Sequence, residues 1–254
     1  MDKIKNIKFG LKTYSTNTEF AAKSEELIKN NLIDYLEVLP VLDSDITPFL
    51  KVDIPYIIHI PHEEFGLNIS DKSRHNFSLK IIKEAQNWAD LLKAKYLILH
   101  LGFGEIKNAE YFLKNINDKR ILIENMPYKA LNGLRMTGSS VQEVKRLKGS
   151  RFGFCLDFGH AVKSAIGLKK DYKEYIKEFL KIKPDMFHIS DGKTDDLKDR
   201  HLSIGKGDYD FKFLLKCINE NKSRIATLET PKSDFNSVSE DIENLKILKS
   251  FLNE

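Results

Sequence analysis

Cysteine is scarce in this chain: two among 254 residues, Cys155 and Cys217, far apart in sequence. Two distant cysteines cannot build a disulfide framework, and a reducing cytoplasm is the natural compartment. Proline and glycine are also few, 7 and 13, which excludes collagen-like and low-complexity architectures. No apolar run approaches the roughly 20 residues that a membrane span needs, so no membrane partner is expected. The opening MDKIKNIKFG is basic but lacks an apolar stretch, so a secretory signal is not expected. Neither sign of charge dominates: 41 Lys and Arg stand against 37 Asp and Glu, a net +4 that permits an anionic partner without requiring one. No linker rich in Ser, Gly or Pro divides the chain, no repeat longer than a strand–helix unit is visible, and no protein partner is evident. Hydrophobic residues make up 41%, ample for a core, which excludes disorder as the main state.

What is present is a series of eight short apolar runs rich in β-branched and aromatic residues. They are IKFGLK (7–12), DYLEVLP (34–40), PYIIHIP (55–61), YLILHLG (96–102), RILIENM (120–126), FGFCLDF (152–158), PDMFHIS (184–190) and RIATLET (224–230). Near-continuous apolarity marks strands covered on both faces, as in parallel sheets. Between them lie stretches of helical spacing, at 17–31, 73–93, 108–117, 139–148, 171–182, 211–220 and 237–252, with only weak helical character at 41–52. Ser139 before VQEV, and Ser237 with Glu240 three residues on, fit helix N-caps. Eight strands alternating with helices predict a single-domain (β/α)8 TIM barrel over 1–254; a doubly wound open sheet is the alternative.

In such barrels the functional face lies at the C-terminal ends of the strands. The rare side chains fall there: His59, His100 and Glu124 near the ends of strands three, four and five, Asp157 and His160 at strand six. His188 follows on strand seven, Asp199 and His201 in its loop, and Glu229 on strand eight. Taken singly, each has a structural explanation, such as a cap at LDFGH or a solvated loop at Asp199–His201. Taken together, six of the seven histidines fall at or beside predicted strand ends. Crowded carboxylates repel and raise one another's pKa values, and a divalent cation relieves that repulsion. Carboxylate with imidazole suits Zn²⁺, Mn²⁺ or Co²⁺. Cys155 reads as core packing rather than as a thiolate ligand.

The ordered segments ILIENMP, GFCLDFGHA, FHISDG, DRHLSIGKGD and TLETP resemble the motif series of the AP endonuclease family 2 and xylose isomerase-like TIM barrels, a group holding endonuclease IV and sugar-phosphate isomerases/epimerases. The resemblance runs from about residue 55 to residue 231. For the endonuclease IV branch it implies up to three Zn²⁺ ions: one on His59, His100 and Glu124, a second on Glu124, Asp157, His188 and Glu229, a third on His160, Asp199 and His201. Glu124, Asp157 and Glu229 are then the catalytic carboxylates, and nucleic acid with an abasic site is the substrate. His62 in HIPHEEFG is the alternative to His59; otherwise it faces solvent or substrate. For the epimerase branch the resemblance implies one Mn²⁺, Mg²⁺ or Co²⁺ on Glu124, Asp157, His188 and Glu229, with the two glutamates moving a proton on a small, phosphorylated sugar.

Arg200 and Lys206 are candidates to meet phosphate, and Glu37 either resembles a position common in sugar-handling relatives or is an ordinary rim carboxylate. Gly205 and Gly207 in SIGKGDYDF suit a phosphate loop, against a turn with Asp208 or Asp210 capping the next helix. The first strand departs from the Gly-His-Val-Ser-type motif of endonuclease IV: FGLKTYSTN has no histidine. Lys12, Tyr14 and Lys51 read there as plain surface. Metal-dependent phosphodiester hydrolysis is the leading expectation, sugar isomerisation or epimerisation the second, an inert binding barrel the third.

Overall fold

The residues described in a computed structural model are 7–235 and 237–252; the basic opening, residues 1–6, lies outside them. Eight parallel strands close into a barrel in chain order. They are β1 (Lys8–Tyr14), β2 (Tyr35–Leu39), β3 (Tyr56–His59), β4 (Leu97–Leu99), β5 (Ile121–Glu124), β6 (Gly153–Asp157), β7 (Met186–Ile189) and β8 (Ile225–Leu228). Around them run α1 (Glu19–Lys29), α2 (Thr47–Leu50), α3 (His75–Leu91), α4 (Ile106–Leu113), α5 (Val141–Lys148), α6 (Phe158–Gly167), α7 (Tyr172–Leu180), α8 (Phe211–Glu220) and α9 (Ser239–Ser250). This is the expected (β/α)8 TIM barrel, and the open-sheet alternative falls because β1 pairs with β8.

Strand periodicity of two divides the core into two shells. Residues facing outward, among them Leu11, Leu36, Ile58, Leu99, Ile123, Phe154, Phe187 and Leu228, pack under the helices in one large apolar cluster. Residues facing inward form a second, smaller cluster: Tyr35, Ile57, Ile98, Leu122, Cys155, Met186 and Ile225. Two glycines make room in this floor. A Cβ on Gly10 would lie 2.2 Å from the Tyr35 ring, and one on Gly153 2.2 Å from Leu122 Cδ2.

Three local expectations change. The cap of α5 is Ser140, not Ser139: its Oγ accepts from Glu143 N–H and Glu143 answers on the Ser140 N–H, a closed capping box. Helix α9 has no side-chain cap, and Glu240 instead accepts from Ser233. Helix α6, absent from the expected helices, follows β6 directly; residues 158–165 are buried, His160, Lys163 and Ser164 among them.

Candidate metal centre

The side chain two positions beyond each floor residue faces inward as well, one layer higher. Lys12 follows Gly10, Glu37 follows Tyr35, His59 follows Ile57, His100 follows Ile98 and Glu124 follows Leu122. Asp157 follows Cys155, His188 follows Met186 and Glu229 follows Thr227. Strand alternation alone thus lays a polar layer on an apolar floor at the C-terminal end of the barrel.

Above it opens a cavity of about 590 Å³, lined by Lys12, Tyr14, His62, Glu63, His100, His160, Asp199, Arg200, His201 and Glu229 with further loop residues. Several ligand-like groups meet in and beneath it. His59, His100 and Glu124 form one; His160, Asp199 and His201 form another; Glu37, His59, His188 and Glu229 form a third, each with donor atoms within 4.8 Å of one another. Glu124 joins them: its Oε2 lies 3.1 Å from His100 Nε2 and 3.6 Å from His59 Nε2, its Oε1 3.2 Å from His188 Nδ1 and 3.3 Å from His160 Nδ1.

The outer nitrogens of these imidazoles are tied down. A carbonyl can only accept, so His59 donates Nδ1–H to Ile60 O (3.0 Å), His160 to Asn125 O (2.8 Å) and His201 to Glu229 O (2.9 Å). His100 Nδ1 meets the Glu63 carboxylate at 3.0 Å. In each ring Nε2 is left facing the carboxylates of the cluster, the arrangement that metal-ligating histidines use. His188 is reversed: Nε2 meets Glu37 Oε2 at 3.2 Å, and Nδ1 faces Glu229 Oε1 at 2.8 Å.

The donor set fits a divalent cation. His59 Nε2 and Asp157 Oδ2 are buried without a hydrogen-bond partner. Such atoms are costly unless something satisfies them, and a cation between them does so. Asp157 Oδ1 is spent on capping α6, accepting from His160 N–H at 2.6 Å, which fixes the aim of Oδ2. His201 adopts φ 45°, in the left-handed region.

Burial and charge shape the protonation of the cluster. Burial lifts the Asp157 carboxyl to about 6, with Glu124, Asp199 and Glu229 adding to it and His160 opposing. Burial pulls His100 and His201 down, yet their acidic neighbours outweigh it and hold both up at about 9. Burial raises Glu63, and the His100 imidazolium overrides this to bring it down to about 2. Burial and the Lys12 charge lower His59. The Cys155 thiol is pushed up by burial, in keeping with a place in the floor.

The remaining sequence candidates separate. His62 lines the cavity, its ring centroid 6.0 Å from His59 and 5.4 Å from His100; His59 is the fully buried one of the pair. Arg200 lies at the mouth, paired with Asp196 at 2.9 Å. Lys206 is exposed on the turn after Ser203, outside the cavity lining. Glu37 is fully buried beneath the cavity, bonded to His188 and Thr227, rather than a rim carboxylate. The amides expected to cradle phosphate are taken: Gly205 and Gly207 N–H both donate to Asp191 Oδ2, at 2.9 and 2.7 Å, and Asp210 caps α8. Lys12 is not surface; its Nζ meets Glu229 Oε1 at 2.8 Å. Its inward parity with Gly10 on β1 is the signal that finds it. Glu63 has no such signal, because it sits in a short turn at Glu63–Phe65.

The chain belongs to the xylose isomerase-like TIM barrel family, whose pattern matches residues 46–251. It is 27% identical over 205 residues to the probable endonuclease 4 of Mycoplasmopsis synoviae, spanning 73% of this chain and 74% of that protein. Among solved structures it resembles a D-tagatose 3-epimerase-like protein, with TM-score 0.72 and 19% identity over 97% of each chain. It also resembles endonuclease IV from Thermus thermophilus, with TM-score 0.70 and 18% identity over 97% of this chain and 99% of that one. At such identities the two structural likenesses speak to the fold. Among the described residues no helix is long and apolar enough to cross a membrane.

Proposed function

We propose that the chain is a zinc-dependent phosphodiester hydrolase of the endonuclease IV type, acting on nucleic acid at abasic sites. The observation that carries this reading is the group His160, Asp199 and His201, which lines the cavity together with His100 and Glu229 and whose His160 lies 3.3 Å from the buried Glu124. A one-metal centre has no use for that second set. The relative named probable endonuclease 4 supports the same branch.

In this reading His59, His100 and Glu124 hold one ion, Glu124, Asp157, His188 and Glu229 a second, and His160, Asp199 and His201 a third. Zinc held there supplies a water acidified toward neutrality and a positive clamp for phosphate oxygens. The chain supplies the rest. Glu124 spans the centre with both oxygens and orients the attacking group. Lys129 and Arg200 line the cavity and give a polyanion cationic contacts at its mouth, while Lys12 and Lys232 are paired with Glu229 and Asp241. Burial of the ligand layer strengthens each of these charges.

A second reading is a sugar or sugar-phosphate isomerase or epimerase with one Mn²⁺, Mg²⁺ or Co²⁺. It is favoured by Glu124 and Glu229 meeting the same His188 Nδ1 from two strands, at 3.2 and 2.8 Å, as a proton-transferring pair would. The test is a duplex carrying one abasic site. The zinc-replete protein is expected to nick it, and Glu124→Gln to lose at least a hundredfold. An intact duplex, with proton exchange on a ketose phosphate instead, moves the assignment to the second reading.

A further inference from the structure

Seven carboxylates gather around the cavity floor and mouth: Glu37, Glu63, Glu64, Glu124, Asp157, Asp199 and Glu229. One fixed ammonium stands among them. Lys12 Nζ lies 2.8 Å from Glu229 Oε1, and the lysine side chain is only 18% exposed. The same Oε1 lies 2.8 Å from His188 Nδ1. Lysine and the candidate ligand His188 therefore converge on a single oxygen.

We infer that Lys12 is a resident counter-ion of Glu229 that competes with the metal at that carboxylate, so the Glu229 position loads last and empties first. The inference rests on the metal centre proposed above and adds a ranking within it. The physical reason is like-charge repulsion. A divalent ion on Glu229 either shares the carboxylate with an ammonium a few ångströms away or displaces that ammonium into the cavity it already lines. Both cost free energy in a site shielded from water. His160, Asp199 and His201 make no contact with Lys12 and escape most of this cost. The sign is distinctive. Removing a merely structural lysine from a ligand layer loosens metal binding, whereas removing a competitor tightens it.

The experiment is a zinc titration of the chelator-stripped full chain against a chromophoric chelator, followed by calorimetry. Wild type is expected to show one equivalent bound about tenfold or more weaker than the rest. Lys12→Met should tighten that equivalent by about tenfold and leave the others alone, while Lys12→Arg, which keeps the charge, should stay weak. A thermal melt of each stripped variant checks that it is folded. Unchanged or weaker zinc binding by a folded Lys12→Met overturns the inference while leaving the centre in place. Absence of zinc binding by wild type and variant alike overturns the centre itself, and the inference with it.

Discussion

His100 stands between two carboxylates, its Nδ1 3.0 Å from Glu63 Oε2 and its Nε2 3.1 Å from Glu124 Oε2. Only Glu124 belongs to the inner ligand layer; Glu63 reaches the ring from behind. A carboxylate in that place fixes which nitrogen carries the proton and makes the other a better donor. Glu63→Ala is therefore expected to weaken zinc binding at the His59, His100 and Glu124 group by roughly 10–100-fold. Glu63→Gln, which still accepts a hydrogen bond, should fall between. Competitive zinc titration measures it, and an unaltered affinity in Glu63→Ala would sink the idea.

Lys163 holds a different part of the centre. It is buried, one helical turn beyond His160 on α6, and its Nζ donates to the carbonyls of Lys193 (2.7 Å) and Asp196 (2.9 Å). Those carbonyls belong to the loop carrying Asp199 and His201. Lys163→Met keeps the length but leaves two carbonyls unpaired, at about 1–3 kcal/mol each unless the loop opens to water. Opening is the expected outcome: faster amide exchange over residues 193–201 and loss of one bound zinc equivalent, with the others retained. Exchange rates and zinc count equal to wild type would show that the clamp does not matter.

These examples mark where the sequence is legible. His59, Glu124, Asp157 and His188 can be read because a barrel strand alternates strictly and its C-terminal end opens on one face. Lys12 obeys the same rule, but a lysine among expected ligands has the wrong charge to be sought there. Glu63, Lys163 and Asn125 act through turns and long-range backbone contacts that no periodicity reports. The loop 203–211 misleads for a related reason: its amides do bind an anion, and that anion is the chain's own Asp191, some 14 residues before Gly205. Glu37 misleads because a strand-end carboxylate reads as rim until β8, which lies beyond β1 in the closed barrel, brings Thr227 to it.

The pH dependence of stability should differ with and without metal. In the metal-free chain His100 and His201 have pKa values raised to about 9. A raised imidazole contributes stability that is complete below its unfolded value, near 6.5, and is lost as pH climbs through 9. Asp157, raised to about 6, acts in the same direction at lower pH. Glu63, lowered to about 2, contributes above its unfolded value and loses this as the solution is acidified. The stripped protein should thus melt progressively lower from pH 6.5 to 9. The zinc-loaded protein should gain relative to it over the same range, because metal displaces those protons. Thermal melts at three pH values with and without chelator decide it; parallel curves would refute it.

A chain of hydrogen bonds runs from the barrel floor to the polar layer above it. Thr227 Oγ1 donates to Glu37 Oε2 at 2.6 Å, so Tyr35 Oη must donate to Thr227, at 2.9 Å, and Glu37 in turn accepts from His188 Nε2. Tyr35 fits only because Gly10 has no side chain; a Cβ there would lie 2.2 Å from the ring. Gly10→Ala should therefore cost about 1–3 kcal/mol by overpacking, and lower the melting temperature by roughly 2–4 °C per kcal/mol. The mechanism makes a sharper demand. Tyr35→Leu removes the clashing ring atoms, so Gly10→Ala added to Tyr35→Leu should cost almost nothing further. A double mutant that loses the full sum of both penalties would place the cost of Gly10→Ala somewhere other than the Tyr35 ring.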